Sequence, residues 1–308
     1  MMQEFWMPSR GGGQLRCGLW LPEGQPRLVL QLVHGIAEHI ERYDEFASYL
    51  VQHGIAVVAD DHMGHGKSVG EGQLTGYFTG GWLNAVADER RLQRQTMEQF
   101  PGIPYVIMGH SMGSFLTRSF LWKYPDSGIS GVILSGTGWQ PYMVLKAGRM
   151  ICSREEKKHT DRVHSDLLQS LMFGAYNKKF APNRTEHDWI CTDEAVVDAY
   201  CNDPMCGFKP KIGLARDMLE GIALNQKPEN LAFMKKSIPV WFFSGDQDPV
   251  GDMGKGVRKT AQAFRKAGME RVDCTLYPGG RHEMLNETNR LQVFNDVVQW
   301  LEREVLQK

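Results

Sequence analysis

Six short apolar runs, each followed by a segment of helical period or by an irregular stretch, constrain this chain more than any other feature. They are RLVLQLV (27–33), IAVVAD (55–60), YVIMG (105–109), GVILSG (131–136), PVWFFSG (239–245) and VDCTLYP (272–278). Most are near-continuous rather than alternating, as strands buried on both faces of a parallel sheet must be. Between them, RYDEFASYLVQHG (stopping at Gly54), NAVADERRLQRQTMEQF, MGSFLTRSFLWKYP and GKGVRKTAQAFRKAG carry helical period. NRLQVFNDVVQWLEREVLQK closes the chain as an amphipathic helix. This alternation predicts an α/β fold: a mostly parallel central sheet, helices on both faces and right-handed crossovers. LRCGLWLP, after the Gly11–Gly13 turn, is expected to add an antiparallel edge hairpin.

The alternation breaks between residues 138 and 226. That stretch has few strand signals, several helical ones (DLLQSLMFGAYNKKF and TDEAVVDAYCNDP among them) and loops at Pro182, Pro204 and Pro210. It reads as a mostly helical cap over the carboxyl edge of the sheet, where open α/β sheets bind ligands. The expected organisation is a core of residues 1–137 and 227–308, interrupted by a cap of residues 138–226.

Composition narrows the function. Apolar residues make up 42% and charged residues 23% of the 308, as in ordinary globular proteins. A net charge of −1 gives no electrostatic footprint for nucleic acid or an anionic membrane surface. No apolar run approaches the roughly 18 residues of a transmembrane segment, and the N-terminus lacks the pattern of a signal peptide. The six cysteines show no CxxC pairing, which favours reduced, structural thiols and a cytoplasmic location.

Gly109-His110-Ser111-Met112-Gly113 lies between a strand and a helix. Such a turn needs small flanking residues and exposes the Ser111 hydroxyl at the head of the helix, suited to a nucleophile. A serine nucleophile needs a base, and the base an acid, in the chain order Ser, Asp or Glu, His. His159, His164 and His187 fall in the cap, before any later strand. His282, in YPGGRHEMLNE, is left as the base. Asp246 and Asp248 of SGDQDPVGD both lie in the required gap, just after a strand. Oxyanion donors are expected from the N–H of Met112, after the nucleophile, and of Ile36, in the LVHGIAEH loop.

HGIAEHIERYDEFASYL, DDHMGHGKS, GHSMGS, SGDQDPVG and PGGRHEMLNE together resemble the motifs of α/β-hydrolases of the monoacylglycerol lipase and lysophospholipase branch, in order and spacing. The resemblance covers the core almost end to end, the cap only in position and helical character. It implies Ser111 as nucleophile, His282 as general base and Ile36 as an oxyanion donor. The branch's pattern, a glycine and then the acid, is similar to Gly245-Asp-Gln-Asp248 and points to Asp248 over Asp246. It also implies a small-molecule acyl ester as substrate (a monoacylglycerol, lysophospholipid or other medium-chain ester), no cofactor or metal, an apolar channel under the cap and transient lipid contact through it. An aminopeptidase of the same fold would need cap carboxylates, such as Glu155, Glu156, Asp188 or Glu194, near the serine. A non-catalytic binding protein would lack a member of the triad.

Other patterns fail. DHMGHGKS ends like a phosphate loop, but its first required glycine is Asp61. His62 and His65 lack a third metal ligand at sensible spacing. As a calcium loop, SGDQDPVGD fails at Val250 and Val257. His34, Glu38 and His39 are expected to organise the oxyanion loop, and Asp252 to cap a helix.

Overall fold

The computed structural model describes residues 1–307. Its sheet has eight strands: β1 Gln3–Pro8, β2 Gln14–Trp20, β3 Leu28–Val33, β4 Ile55–Asp60, β5 Tyr105–His110, β6 Gly131–Ser135, β7 Val240–Gly245 and β8 Val272–Tyr277. Their order is β1-β2-β4-β3-β5-β6-β7-β8. The β1–β2 hairpin is antiparallel to β4 at one edge, and β4 through β8 are parallel. All six apolar runs form strands, within one residue of the expected ends.

Both faces of the strands are apolar because both are covered. Val29, Val58, Ile107, Val132 and Phe242 face one layer, α2 (Trp82–Gln99), α3 (Met112–Lys123) and α9 (Lys255–Lys266). Their neighbours Leu30, Val57, Val106, Ile133 and Phe243 face the other, α1 (Asp44–Gln52) and α10 (Arg290–Leu301). Burying a side chain such as Phe243 contributes roughly 1.5–3 kcal/mol.

Five helices lie between β6 and β7: α4 Tyr142–His159, α5 Asp166–Phe173, α6 Glu194–Asn202, α7 Ile212–Asn225 and α8 Pro228–Phe233. The sequence pattern marked α5 and α6 but not α4, α7 or α8. Helix α7 is rooted in the main core. Leu214 and Ile222 pack there, and the buried Asn225 side chain bonds Ser119 Oγ, Trp122 Nε1 and the Phe115 carbonyl of α3. The strand order reverses at β3, whose neighbours are β4 and β5. Loops leaving β3 and β5 therefore diverge at the sheet's carboxyl edge and open a crevice there.

Candidate active site

Ser111 is the single residue between β5 and α3, at φ 52° and ψ −120°. A left-handed φ costs a non-glycine residue roughly 1–3 kcal/mol and persists only where its surroundings enforce it. Here they do. The Ser111 N–H donates to the Ser135 carbonyl (2.9 Å), and its own carbonyl accepts from the N–H (2.9 Å) and hydroxyl (2.6 Å) of Ser114. A β-carbon at Gly109 would strike the Gly113 carbonyl, and one at Gly113 the Val33 carbonyl. The two glycines are what let α3 leave the sheet at this angle.

His282 lies in the loop between β8 and α10, and Asp248 in the loop after β7; both are buried. Their side chains meet, His282 Nδ1 to Asp248 Oδ1 at 3.0 Å. Asp248 also accepts from Ser244 Oγ (2.6 Å, on Oδ2) and the Val250 N–H (2.9 Å, on Oδ1). Burial opposes ionisation of Asp248, but His282 and these donors outweigh it and hold the carboxyl below its usual range. Burial likewise opposes a charged His282, and Asp248, chiefly, reverses the balance and raises it. His110 packs against His282 with ring centres 4.7 Å apart. Burial, assisted by His282, pushes His110 down to about 3, so it stays neutral.

The loop after β3 brings Ile36 to the same place. A β-carbon on Gly35 would sit 3.0 Å from Ser111 Cβ, so the backbone passes hard against the serine. Neither the Ile36 nor the Met112 N–H has a partner among the described residues. Glu38 shapes the loop by accepting from the Gly35 N–H (2.6 Å) and the Tyr43 hydroxyl (3.0 Å). Arg42 then joins Glu38 (2.9 Å) to Glu283, the residue after His282, through two bonds of 2.7 and 2.6 Å. Burial pushes Glu38 up, whereas Arg42 overcomes burial at Glu283 and holds it down at about 2. The Ala37 carbonyl accepts from two insert groups, the Tyr200 hydroxyl and the Gly207 N–H, each at 3.0 Å.

Behind the loop, His34 and His62 stack with ring centres 3.9 Å apart. His62 and His65 do not converge as a ligand pair: His65 Nδ1 bonds the Met63 carbonyl at 3.1 Å, and the groups that gather at His62 are two carboxylates. Instead His62 Nδ1 faces Asp60 (3.3 Å) and Glu89 of α2 (3.2 Å), while Nε2 bonds the His34 carbonyl (3.0 Å). Burial favours a neutral ring at His62, but the two carboxylates outweigh it and keep the ring charged. His39 reaches the insert at Asp203 (2.8 Å).

Asp246 stands apart from the histidine and accepts from the Gly279 N–H (2.9 Å), tying the β7 and β8 loops together. The expectation that Asp252 caps a helix is wrong. Helix α9 begins at Lys255 with Gly254 as its N-cap and no side-chain cap bond, and Asp252 sits at φ 49° inside the preceding turn. The sequence reading missed Arg42, Glu283 and Ser244. Arg42 and Glu283 pair across 241 positions, and Ser244 lies inside the apolar run of β7, so no local motif marks them.

Ser111, Ile36, Met112 and His282 all line one cavity of about 540 Å³, with Phe115, Phe173, Trp189, Met218 and Ile222 among its apolar walls. Glu155, Glu156, Asp188 and Glu194 do not line it; the first three bond to Ser165, Arg216 and Thr185, and Glu194 forms an exposed ion pair with Arg184 at 3.7 Å. Among the described residues, no helix is long and apolar enough to cross a membrane.

Residues 24–289 match the family described as "Serine aminopeptidase, S33". A monoacylglycerol lipase of Mycolicibacterium smegmatis is 29% identical over 94% of each chain. Among solved structures, a highly thermostable carboxyl esterase from Bacillus coagulans superposes with a TM-score of 0.92 at 28% identity, covering 98% of each chain. A monoglyceride lipase from Saccharomyces cerevisiae shares the fold, with a TM-score of 0.77 at 21% identity over 99% of this chain and 95% of its own.

Proposed function

The chain belongs to the α/β-hydrolase family described as "Serine aminopeptidase, S33", and from that premise we propose how it works as a serine ester hydrolase. Ser111 attacks the ester carbonyl while His282 takes its proton. Asp248 fixes the Nδ1–H tautomer of His282 and stabilises the imidazolium that forms. The N–H groups of Ile36 and Met112 hold the oxyanion, a contribution of about 10²–10³ in turnover for each donor. His282 then protonates the leaving alcohol and activates the water that frees the acid. The observation that carries this reading is the buried His282–Asp248 pair at 3.0 Å, whose histidine lines the cavity that also holds Ser111 at its strained φ.

Residues 138–226 act as a cap that walls the acyl channel. The substrate class is a monoacylglycerol, lysophospholipid or similar medium-chain ester. The named lipase and esterase relatives and the aromatic and aliphatic cavity wall support it. Tyr142, Met143, Val144 and Met150 of α4, with Leu167 and Leu171 of α5, leave a large part of their surface exposed on the insert. They support transient lipid contact through the cap.

The family's description favours a second reading, peptide hydrolysis by the same residues. The four cap carboxylates that a free amino terminus would need are engaged away from the cavity. Of the acids that do line it, Glu38 and Glu283 are matched by Arg42 and Asp166 by Lys209, while Glu186 is exposed. Nitrophenyl esters of increasing chain length, run beside an amino-acid anilide on wild type and Ser111→Ala, test both readings. Ester turnover that rises with chain length and vanishes in the variant is expected. Anilide hydrolysis without ester hydrolysis would sink the esterase reading, and undiminished ester turnover in the variant would sink the role of Ser111.

A further inference from the structure

A second cluster of chemistry-bearing side chains sits where the insert meets the loop after β3. One ring nitrogen of His39, a carboxylate oxygen of Asp203 and the sulfur of Cys206 lie within 4.8 Å of one another. His39 Nε2 already contacts Asp203 Oδ2 at 2.8 Å. The other ring nitrogen, Nδ1, is buried without a hydrogen bond among the described residues and stands 3.9 Å from Glu41 Oε2. The His39 side chain is 4% exposed and that of Asp203 27%, so the cluster is sheltered yet open to solvent along the carboxylate. The three residues come from two segments of chain, and the turn Asp203–Cys206 is itself closed by a backbone bond of 3.0 Å.

From this geometry we infer that His39, Asp203 and Cys206 form a zinc site that clasps the insert to the loop after β3. Imidazole, thiolate and carboxylate are the donor types zinc uses, and a thiolate selects against magnesium and calcium. With Zn–ligand distances of about 2.0–2.3 Å, tetrahedral ligand atoms stand roughly 3.3–3.6 Å apart. Closing the cluster therefore asks for a contraction of no more than about 1.5 Å, within reach of side-chain rotation. One thiolate and one carboxylate balance the charge of Zn²⁺, and three protein ligands leave the fourth position to water. Burial pushes the Cys206 thiol up. Zinc displaces that proton on binding, as metal coordination does for thiols generally, and the proton leaves to solvent. The site does not depend on what reaction the cavity performs. It matters to that reaction through Ala37, because Gly207, next to Cys206, donates its N–H to the Ala37 carbonyl (3.0 Å).

The full chain, stripped with a chelator and titrated with zinc chloride in a calorimeter, should bind one ion per chain and gain thermal stability as it does. Cys206→Ser and His39→Gln should each weaken that binding roughly tenfold or more, since even groups that merely support metal ligands cost 10–100-fold when lost. Cobalt(II) is the second probe. It should give a thiolate charge-transfer absorption in wild type and in Cys201→Ser, a control at an exposed cysteine, but not in Cys206→Ser. If Cys206→Ser fails to fold, the wild-type cobalt spectrum and the His39→Gln titration still decide the matter. Absence of a one-to-one zinc isotherm, or binding unchanged in both ligand variants, overturns the site.

Discussion

Asp248→Asn tests the assignment of the acid, and the hydrogen bonds of Asp248 fix how the new amide must sit. Oδ1 of Asp248 accepts from both His282 Nδ1 and the Val250 N–H, and Oδ2 from the Ser244 hydroxyl. An amide has one accepting and one donating end. With its oxygen at the Oδ1 position it keeps both of those donors, and its NH₂ meets Ser244, whose hydroxyl can rotate to accept. The reverse placement sets the NH₂ against the Val250 N–H, which cannot accept. The substitution therefore preserves the His282 tautomer and removes only the charge. Two unit charges about 4 Å apart at an effective dielectric of 20 interact by about 4 kcal/mol, or about 10³-fold in rate. Initial rates on a soluble nitrophenyl ester should give kcat/KM about 10³-fold lower for Asp248→Asn and nearly unchanged for Asp246→Asn. Ser244→Ala alone should cost less than about tenfold, since it takes one hydrogen bond from an otherwise intact pair. Added to Asp248→Asn, it should lower the rate further, toward the roughly 10⁴-fold loss of a histidine held in the wrong tautomer. A larger effect of Asp246→Asn than of Asp248→Asn would refute the assignment. So would retention of more than about a tenth of activity by Asp248→Asn, because the Coulomb argument forbids it.

Three further outcomes are expected. His282 works as a base only when neutral, and Asp248 raises its pKa; kcat/KM should therefore fall below a pH somewhat above 6.5, and the residual activity of Asp248→Asn should show that limb at lower pH. Arg42→Met strands two buried carboxylates, Glu38 and Glu283, and should cost about 3–5 kcal/mol in denaturant unfolding. Arg42 depresses Glu283 from its ordinary 4.5 to about 2, so the stability it confers is present above 4.5 and lost as pH falls toward 2; the variant should lack that slope, and an equal slope in both proteins would exclude the pairing as its source. Replacing Met143, Val144, Leu167 and Leu171 together by serine should reduce co-sedimentation with phosphatidylcholine vesicles while leaving turnover of a soluble ester within about twofold, as exposed substitutions usually act; unchanged sedimentation would argue against lipid contact through α4 and α5.

The core was legible because its strands are buried twice over. Runs such as RLVLQLV and PVWFFSG alternate apolar side chains between the two layers, broken only by the buried polar Gln31 and Ser244 and by their end residues. Ser111 and His282 could be named from a turn motif and an obligatory chain order. The aspartate choice needed the resemblance, since Asp246 and Asp248 satisfy that order equally, and only the structure shows which one meets the histidine. Helix α4 escaped because Tyr142, Met143, Val144 and Met150 leave much of their surface exposed, so its apolar pattern does not mark a face turned to the core. The ion pairs could not have been read at all. Arg42 and Glu283 are 241 positions apart, and the Glu89 that meets His62 sits in a helix with no motif of its own.

The Ala37 carbonyl, held by two donors from the insert, makes the insert part of the frame of the loop after β3. Ile36 precedes Ala37, so a substitution that removes the Tyr200 hydroxyl or displaces Gly207 loosens the backbone beside Ile36 from outside the loop that carries it. The lie of that backbone is thus set in part by Tyr200, 163 positions further along the chain.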